Sequence, residues 1–242
     1  MKKLCCVVSA ALLALLLCAC GAKEQTDSTN MNNISSNSTA DSAVKREVYA
    51  DTSHKNSQVS VAYPVFSGVD MQEINADIYA FAKDFAELYY GQDYTDLQLE
   101  LIFEIKRYDS EYLSIAFTGT GNVLTAAHPN NLFLTKNYDL QKKQPITLSA
   151  LHTIDRAFAD ALYTAAEEKF TALARQNSSF DAETMWEIFQ ADYPTADALL
   201  PVLQKCDTDP TSCQSYITRN AIGVSLPVSH AGGDHIEVEV AF

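Results

Sequence analysis

The chain of 242 residues carries 31 acidic and 17 basic side chains, a formal charge of −14 at pH 7, and 47% hydrophobic residues. So acidic a balance argues against nucleic acid as a partner, because phosphates are neutralised by Lys and Arg. It suits a domain standing in solvent, or one that draws in a basic partner by electrostatic steering.

Met1-Lys2-Lys3 opens the chain and an apolar run follows from Leu4 to Leu17. A cationic start, an apolar stretch and small residues beyond it form the pattern of a secretory signal. The run is shorter than the ~20 apolar residues a spanning helix requires. Leu17-Cys18-Ala19-Cys20 resembles a bacterial lipobox, with Leu three before the cysteine and a small residue just before it. Cys18 fits less well, because Leu17 would then occupy the small-residue position. The resemblance implies a lipoprotein signal peptide over 1–19, cleavage before Cys20 and acylation of Cys20. The alternative is an ordinary secreted protein cut nearby. Each buried acyl methylene contributes about 0.8 kcal/mol, so a multiply acylated cysteine holds the body firmly to the extracytoplasmic face of the cell membrane. Seventeen basic residues less Lys2 and Lys3 leave 15 against 31 acids, a formal charge of −16 on the mature chain.

Residues 20–43 form a tether. Lys23 to Ala43 is rich in Ser, Thr, Asn and Asp and has few apolar side chains, too few to offset its ordering entropy, so disorder is expected there. Of six cysteines, Cys5, Cys6 and Cys18 leave with the signal and Cys20 takes the lipid, which leaves Cys206 and Cys213. Outside the cytoplasm such a pair reads as a disulfide, contributing roughly 2–3 kcal/mol over so short a loop. A two-thiolate metal site lacks the further ligands zinc wants, and free thiols remain open for an anaerobe.

The folded part begins near Val44. "SQVSVAYPVF" reads as a strand stopped by Pro64. "DMQEINADIYAFAKDFAELYYG" spaces Met71, Ile74, Ile78, Phe81, Phe85 and Leu88 three and four apart, so the expected helix has one apolar face. Asp70 and Glu73 are placed as a capping pair, and Gly91 closes the helix. "LQLELIFEI" and "YLSIAFTGTG" flank the turn "YDSEY" as an antiparallel hairpin, and "NLFLTKNYDL" and "PITL" add extended segments. Leu148–Gln176 reads as one long helix through Leu151, Ile154, Phe158, Leu162, Ala166 and Phe170. Two shorter helices follow, the second bent by Pro201. "SYITRNAIGVSLPV" and "HIEVEVAF" return to strand. Strands, helices, then strands indicate α+β, a mainly antiparallel sheet packed with one long and several shorter helices.

"VAYPVFSGVDMQEINADIYAF", "AAHPNNLFLTKNYDL", "PITLSALH" and "AIGVSLPVSHAGGDHIEVEV" together resemble the paired modules of the RsiV-type extracellular domain. That pair occurs in anti-sigma factors that bind lysozyme, in accessory regions of peptidoglycan deacetylases and in bacterial lipoproteins. The resemblance spans most of 57–242. It implies an N-terminal module over 44–106 (strand, helix, strand) and a C-terminal α+β module over 107–242, packed as one globule. No transmembrane helix leading to a sigma-binding segment is seen, so a sigma-factor role is not expected. Neither a Thr-Phe-Asp-Asp motif nor a His-x-x-x-His pair is present, so deacetylation is not expected.

Few residues point to chemistry. His128, His152, His230 and His235 would need to converge to bind zinc; the bland reading of "SHAGGDHIEVEV" is a turn into the last strand, with Gly232 and Gly233 permitting positive φ and His128 and His230 packing or hydrogen-bonding. Tyr89, Tyr90, Tyr94, Tyr108 and Tyr112 offer rings for stacking on sugars, or for packing at a helix end and hairpin. Candidate ligand contacts are therefore Tyr89, Tyr90, Tyr94, His128 and His230. No cofactor motif, Gly-x-Ser-x-Gly elbow or His-Glu-x-x-His is present. The expected function is a lipid-anchored, non-catalytic binding protein of the cell envelope whose partner is lysozyme, another protein or cell-wall glycan. The alternative is a peptidoglycan-modifying hydrolase. Cys20→Ala should abolish incorporation of radiolabelled palmitate and release the protein from sedimenting vesicles; label or sedimentation equal to wild type would contradict lipidation at Cys20.

Overall fold

The computed structural model describes residues 44–176 and 182–242. The expected signal segment, Cys20 and the tether to residue 43 lie outside the described residues. β1 (Val44–Asp51) and β2 (Gln58–Phe66) pair antiparallel along their length. α1 (Gln72–Tyr90) then crosses over, and β3 (Leu97–Tyr108) returns parallel to β2, pairing with Gln58 to Val61. β4 (Tyr112–Val123), β5 (Asn130–Asp139) and β6 (Gln144–Pro145) add antiparallel, giving a sheet of order β1-β2-β3-β4-β5-β6. Four helices follow: α2 (Leu148–Leu151), α3 (Arg156–Gln176), α4 (Ala182–Asp192) and α5 (Ala196–Lys205). A second sheet, β7 (Gln214–Ile217), β8 (Ala221–Pro227) and β9 (His235–Ala241), closes the chain in that order. The fold is α+β and mainly antiparallel.

In the first core, α1 lays Ile74, Ile78, Ala82 and Phe85 against Leu97, Leu99 and Leu101 of β3 and Leu113, Ile115 and Phe117 of β4. At 3.6 residues per turn this stripe continues through Ala86, which leaves Leu88 on the outer side, 81% exposed rather than buried as its spacing had indicated. The Asp70–Glu73 cap does not form; Met71 is the N-cap, and Asp70 pairs instead with Lys143. Pro64 does not stop β2, which runs on to Phe66. The β2–β3 ladder ends at Val61, so Pro64 lies where one edge is open and a missing N–H is tolerated. That open edge is closed by Asn75 of α1. Its carboxamide accepts from the Phe66 N–H at 2.9 Å and donates to the Phe66 carbonyl at 2.7 Å, a side-chain imitation of a neighbouring strand.

The second core packs Phe158, Leu162, Ala166 and Phe170 of α3, with Phe189, Leu199 and Leu203, on Ile222, Val224, Ile236 and Val238. The single helix expected over 148–176 is interrupted at His152–Asp155. Asp155 Oδ1 accepts from the Phe158 N–H at 3.0 Å and starts α3 afresh. Asp207 reaches across from the disulfide loop to accept from the N–H groups of Leu148 (2.8 Å) and Ser149 (3.1 Å), capping α2. Cys206 and Cys213 are bonded, with Cα atoms 4.8 Å apart. Pro201 lies inside α5 on its exposed side.

The two sheets stand back to back, α1 outside one and α3–α5 outside the other. Alternate residues of β4 therefore serve different neighbours: Leu113, Ile115 and Phe117 enter the α1 core, while Ser114 and Ala116 turn to β7. Ser114 Oγ donates to Asn137 Oδ1 at 2.7 Å and accepts from the Ile217 N–H at 2.9 Å; Asn137 Nδ2 donates to the Ser215 carbonyl at 2.6 Å. The expected module boundary at 106/107 falls inside β3, and the first sheet continues to Pro145, so the two cores part after β6. Asn75→Leu should lower stability in urea by about 2 kcal/mol, since two backbone groups of Phe66 lose their partners. An unchanged unfolding midpoint would contradict this role.

Candidate functional site: the cleft along the last strand

Alternation along β9 sends Ile236 and Val238 into the helical core and turns His235, Glu237 and Glu239 toward the first sheet. Because β9 is an edge of its sheet, these polar side chains open onto a cleft. Lys106 meets them from β3, where the pairing slips between Ile105 and Arg107. Such a bulge re-aims the side chain it carries. The Lys106 ammonium is 2.8 Å from Glu104 and 3.4 Å from Glu237, and 5.1 Å from the centre of the Tyr216 ring. Tyr216 donates its hydroxyl hydrogen to Glu239 at 3.1 Å. Lys169, from α3, donates to the Glu237 carbonyl oxygen at 2.5 Å.

The cleft has a volume of about 450 Å³ and is lined by Ala165, Glu168, Lys169, Tyr216, Glu237 and Glu239. A second hollow of about 370 Å³ shares Lys169 and Glu237 and adds Phe170, Leu173, Met185 and His235. Burial alone would depress the Lys106 ammonium, but the carboxylates of Glu104 and Glu237 overcome it and hold it above its ordinary pKa. Lys169 lacks a carboxylate within ion-pair distance among the described residues, and burial pushes it down. Burial raises the Tyr216 hydroxyl, reinforced by Glu237 and Glu239. Lys106 and Lys169 are thus both held by Glu237, through its carboxylate and its backbone carbonyl, and Tyr216 is held by Glu239.

The candidates named from the sequence fall in other places. His128 and His230 stack, with centroids 3.4 Å apart and planes 10° from parallel. His230 Nδ1 is 2.9 Å from Asp234 Oδ1, and Asp234 Oδ2 accepts from the Asn131 N–H at 2.7 Å. The Gly-Gly turn is thus tied to the start of β5, with Gly233 at φ 88° and Asp234 at φ 72°. Tyr89 borders a small hollow of about 90 Å³ with Phe133, Asp234 and His235. The Tyr90 hydroxyl is buried without a partner among the described residues, against Gly121, where an added Cβ would lie 1.7 Å from it. Tyr94 stacks on His54 at 3.9 Å and places its hydroxyl on Asp51 at 3.1 Å. Tyr108 packs on Phe66 and Tyr112 lies under Arg107. His152 stacks on Phe158. No group of three or more His, Cys, Asp or Glu side chains among the described residues is placed to hold a metal ion. The cleft residues Lys106, Lys169, Glu237 and Glu239 were not singled out from the sequence. The alternation in "HIEVEV" signals the shared face of the two glutamates, but nothing local signals the lysines.

Neither a family model nor a curated protein matches this chain. Among solved structures it is similar to a DUF3298 family protein from Pseudomonas aeruginosa, with a TM-score of 0.50 and 14% identity, covering 83% of this chain and 90% of that one. A DUF3298 family member from Bacteroides fragilis aligns with a TM-score of 0.43 and 16% identity, over 83% and 91% of the two chains. The likeness to the Pseudomonas protein is one of fold.

His235 links the hollows. Its Nδ1 is buried without a partner among the described residues, and its ring lies 5.2 Å from Phe133. Burial lowers its pKa, so the unfolded chain takes up the proton first. Stability is therefore lost as pH falls below the unfolded value, about 6.5, and on through the lower folded one. His235→Phe should flatten the fall in Tm between pH 7 and pH 5; a slope equal to wild type would show that His235 does not titrate in this way.

Proposed function

We propose that the chain is a lipid-anchored, extracytoplasmic binding protein of the bacterial cell envelope, without catalytic function, that captures a basic protein such as lysozyme. The observation that carries this reading is electrostatic. The chain holds 31 acids against 17 bases. Several of those bases are neutralised where they stand: Lys106 by Glu104 and Glu237, Arg107 by Asp109 and Glu111, Lys136 by Asp77. The acidic excess is left to act outward on an approaching cation, raising the association rate more than the final affinity. The resemblance of the sequence to RsiV-type extracellular domains points to lysozyme as the partner. The lipobox resemblance at Cys20 points to the membrane face. A column carrying the protein should retain lysozyme at low salt and release it progressively as salt rises. No retention at low or moderate salt would remove lysozyme as the partner.

A second reading rests on the cleft along β9, where Glu168, Glu237 and Glu239 line about 450 Å³. Such a cleft has the size and polarity for a cell-wall glycan, bound or hydrolysed. Release of soluble muropeptides from peptidoglycan by wild type, lost in Glu237→Gln, would favour it over the first.

A further inference from the structure

Three tyrosines far apart in sequence meet on the outer flank of α1. Tyr49 comes from β1, Tyr63 from β2 and Tyr79 from the helix. Their ring centroids lie 6.5 Å apart for Tyr49–Tyr79 and 5.8 Å apart for Tyr63–Tyr79. Tyr79 is 46% exposed, and the other two are half-buried beneath it. Carboxylates surround the group. Glu47 stands directly opposite Tyr63 in the β1–β2 ladder, and Asp51 follows Tyr49 along the same face of β1. Glu87 and Asp84 add charge from the helix. Lys83, one helical turn beyond Tyr79, is already paired with Asp84 at 3.7 Å.

We propose that this tyrosine face is the docking surface for a lysine- or arginine-rich segment of a partner protein. The inference rests on the reading of the chain as a binder of basic proteins, and names the place of contact. An aromatic face attracts a cation through its quadrupole, and neighbouring carboxylates add Coulomb attraction. The tyrosines register that negative field: burial first, then Asp51, Glu87 and Asp84, push the Tyr49 hydroxyl up, and burial with Glu47 does the same for Tyr63. The ring geometry selects the ligand. The planes of Tyr49 and Tyr63 are inclined to Tyr79 by 79° and 57°, so the exposed Tyr79 ring shares no flat platform for a sugar with either neighbour. A cationic side chain needs no such platform and can approach one ring face while its charge reaches a carboxylate.

The test uses the full chain, titrated by calorimetry with a hexa-arginine peptide and with lysozyme. Tyr79→Ala should weaken peptide binding about tenfold, Tyr79→Phe should stay within about twofold of wild type because the ring is kept, and Glu47→Lys should weaken it at least as much as Tyr79→Ala. Leu88→Ala, exposed on the opposite flank of α1, should bind as wild type. Equal peptide affinity in Tyr79→Ala and wild type would overturn the surface while leaving lysozyme capture standing if lysozyme still binds. Absence of peptide binding to wild type, or binding of a chitin-type oligosaccharide that only Tyr79→Ala abolishes, would also overturn it. Loss of lysozyme binding alone, with the peptide still sensitive to Tyr79, would fault the choice of lysozyme and support the surface.

Discussion

The fold depends on β4 and β5 being buried on both faces. A sheet with helices on one side and water on the other needs apolar residues only at alternate positions. Here the water side is taken by a second sheet, and β4 answers with large residues toward α1 and small or hydrogen-bonding ones toward β7. Ser114 and Ala116 are both fully buried, and Asn137 nearly so. Close approach is set by the same economy of size: a Cβ on Gly223 would lie 2.1 Å from the Tyr216 ring, and one on Gly119 would lie 1.9 Å from the Glu100 carbonyl oxygen. The polar groups so buried are satisfied by one another. Three hydrogen bonds run from the Ile217 N–H through Ser114 and Asn137 to the Ser215 carbonyl and join the two sheets.

A seam sealed by polar groups at its centre is free to become ionic at its edge. The bulge at Lys106 sends an ammonium across the gap, where Glu237 meets it, and the alternation of β9 supplies Glu239 and His235 beside it. The opposite end of the seam is held by Asp234, which bonds His230 and Asn131 together. Geometry thus makes the histidine-glycine turn a clasp between the sheets, and leaves the cleft along β9 as the larger open space. The tyrosine face lies elsewhere, on the free flank of α1, so recognition there would not require the seam to open.

The fold class was legible because the periodicities are long and clean: "LQLELIFEI" for β3, Ile74 to Phe85 for α1, "HIEVEV" for β9. Errors arose where a distant residue decided a local matter. Asp207 caps α2 from across the chain, and nothing in Leu148–Gln176 except Asp155 hints at the break. Pro64 looked like a stop because its neighbour's short ladder was invisible in the sequence. β1, with Val44 and Val48 as its only branched aliphatic residues, has too little alternation to announce itself, yet it pairs with β2 throughout. The site was less legible for the same reason. Of the tyrosines near one another in sequence, Tyr89 and Tyr90 stay together with ring centroids 5.0 Å apart, but Tyr94, Tyr108 and Tyr112 pack on other partners. Tyr49, Tyr63 and Tyr79 instead converge from three elements.

The central claim is that the Ser114–Asn137 seam binds two cores into one cooperative body. Trp186, the one tryptophan of the sequence, lies at the edge of the second core, so its fluorescence reports that core, while hydrogen exchange at the β3 and β4 amides reports the first. In urea the two signals should change together in wild type and shift downward together in Asn137→Ala. Separate transitions in wild type, or a shift of the Trp186 signal alone in the variant, would contradict the account.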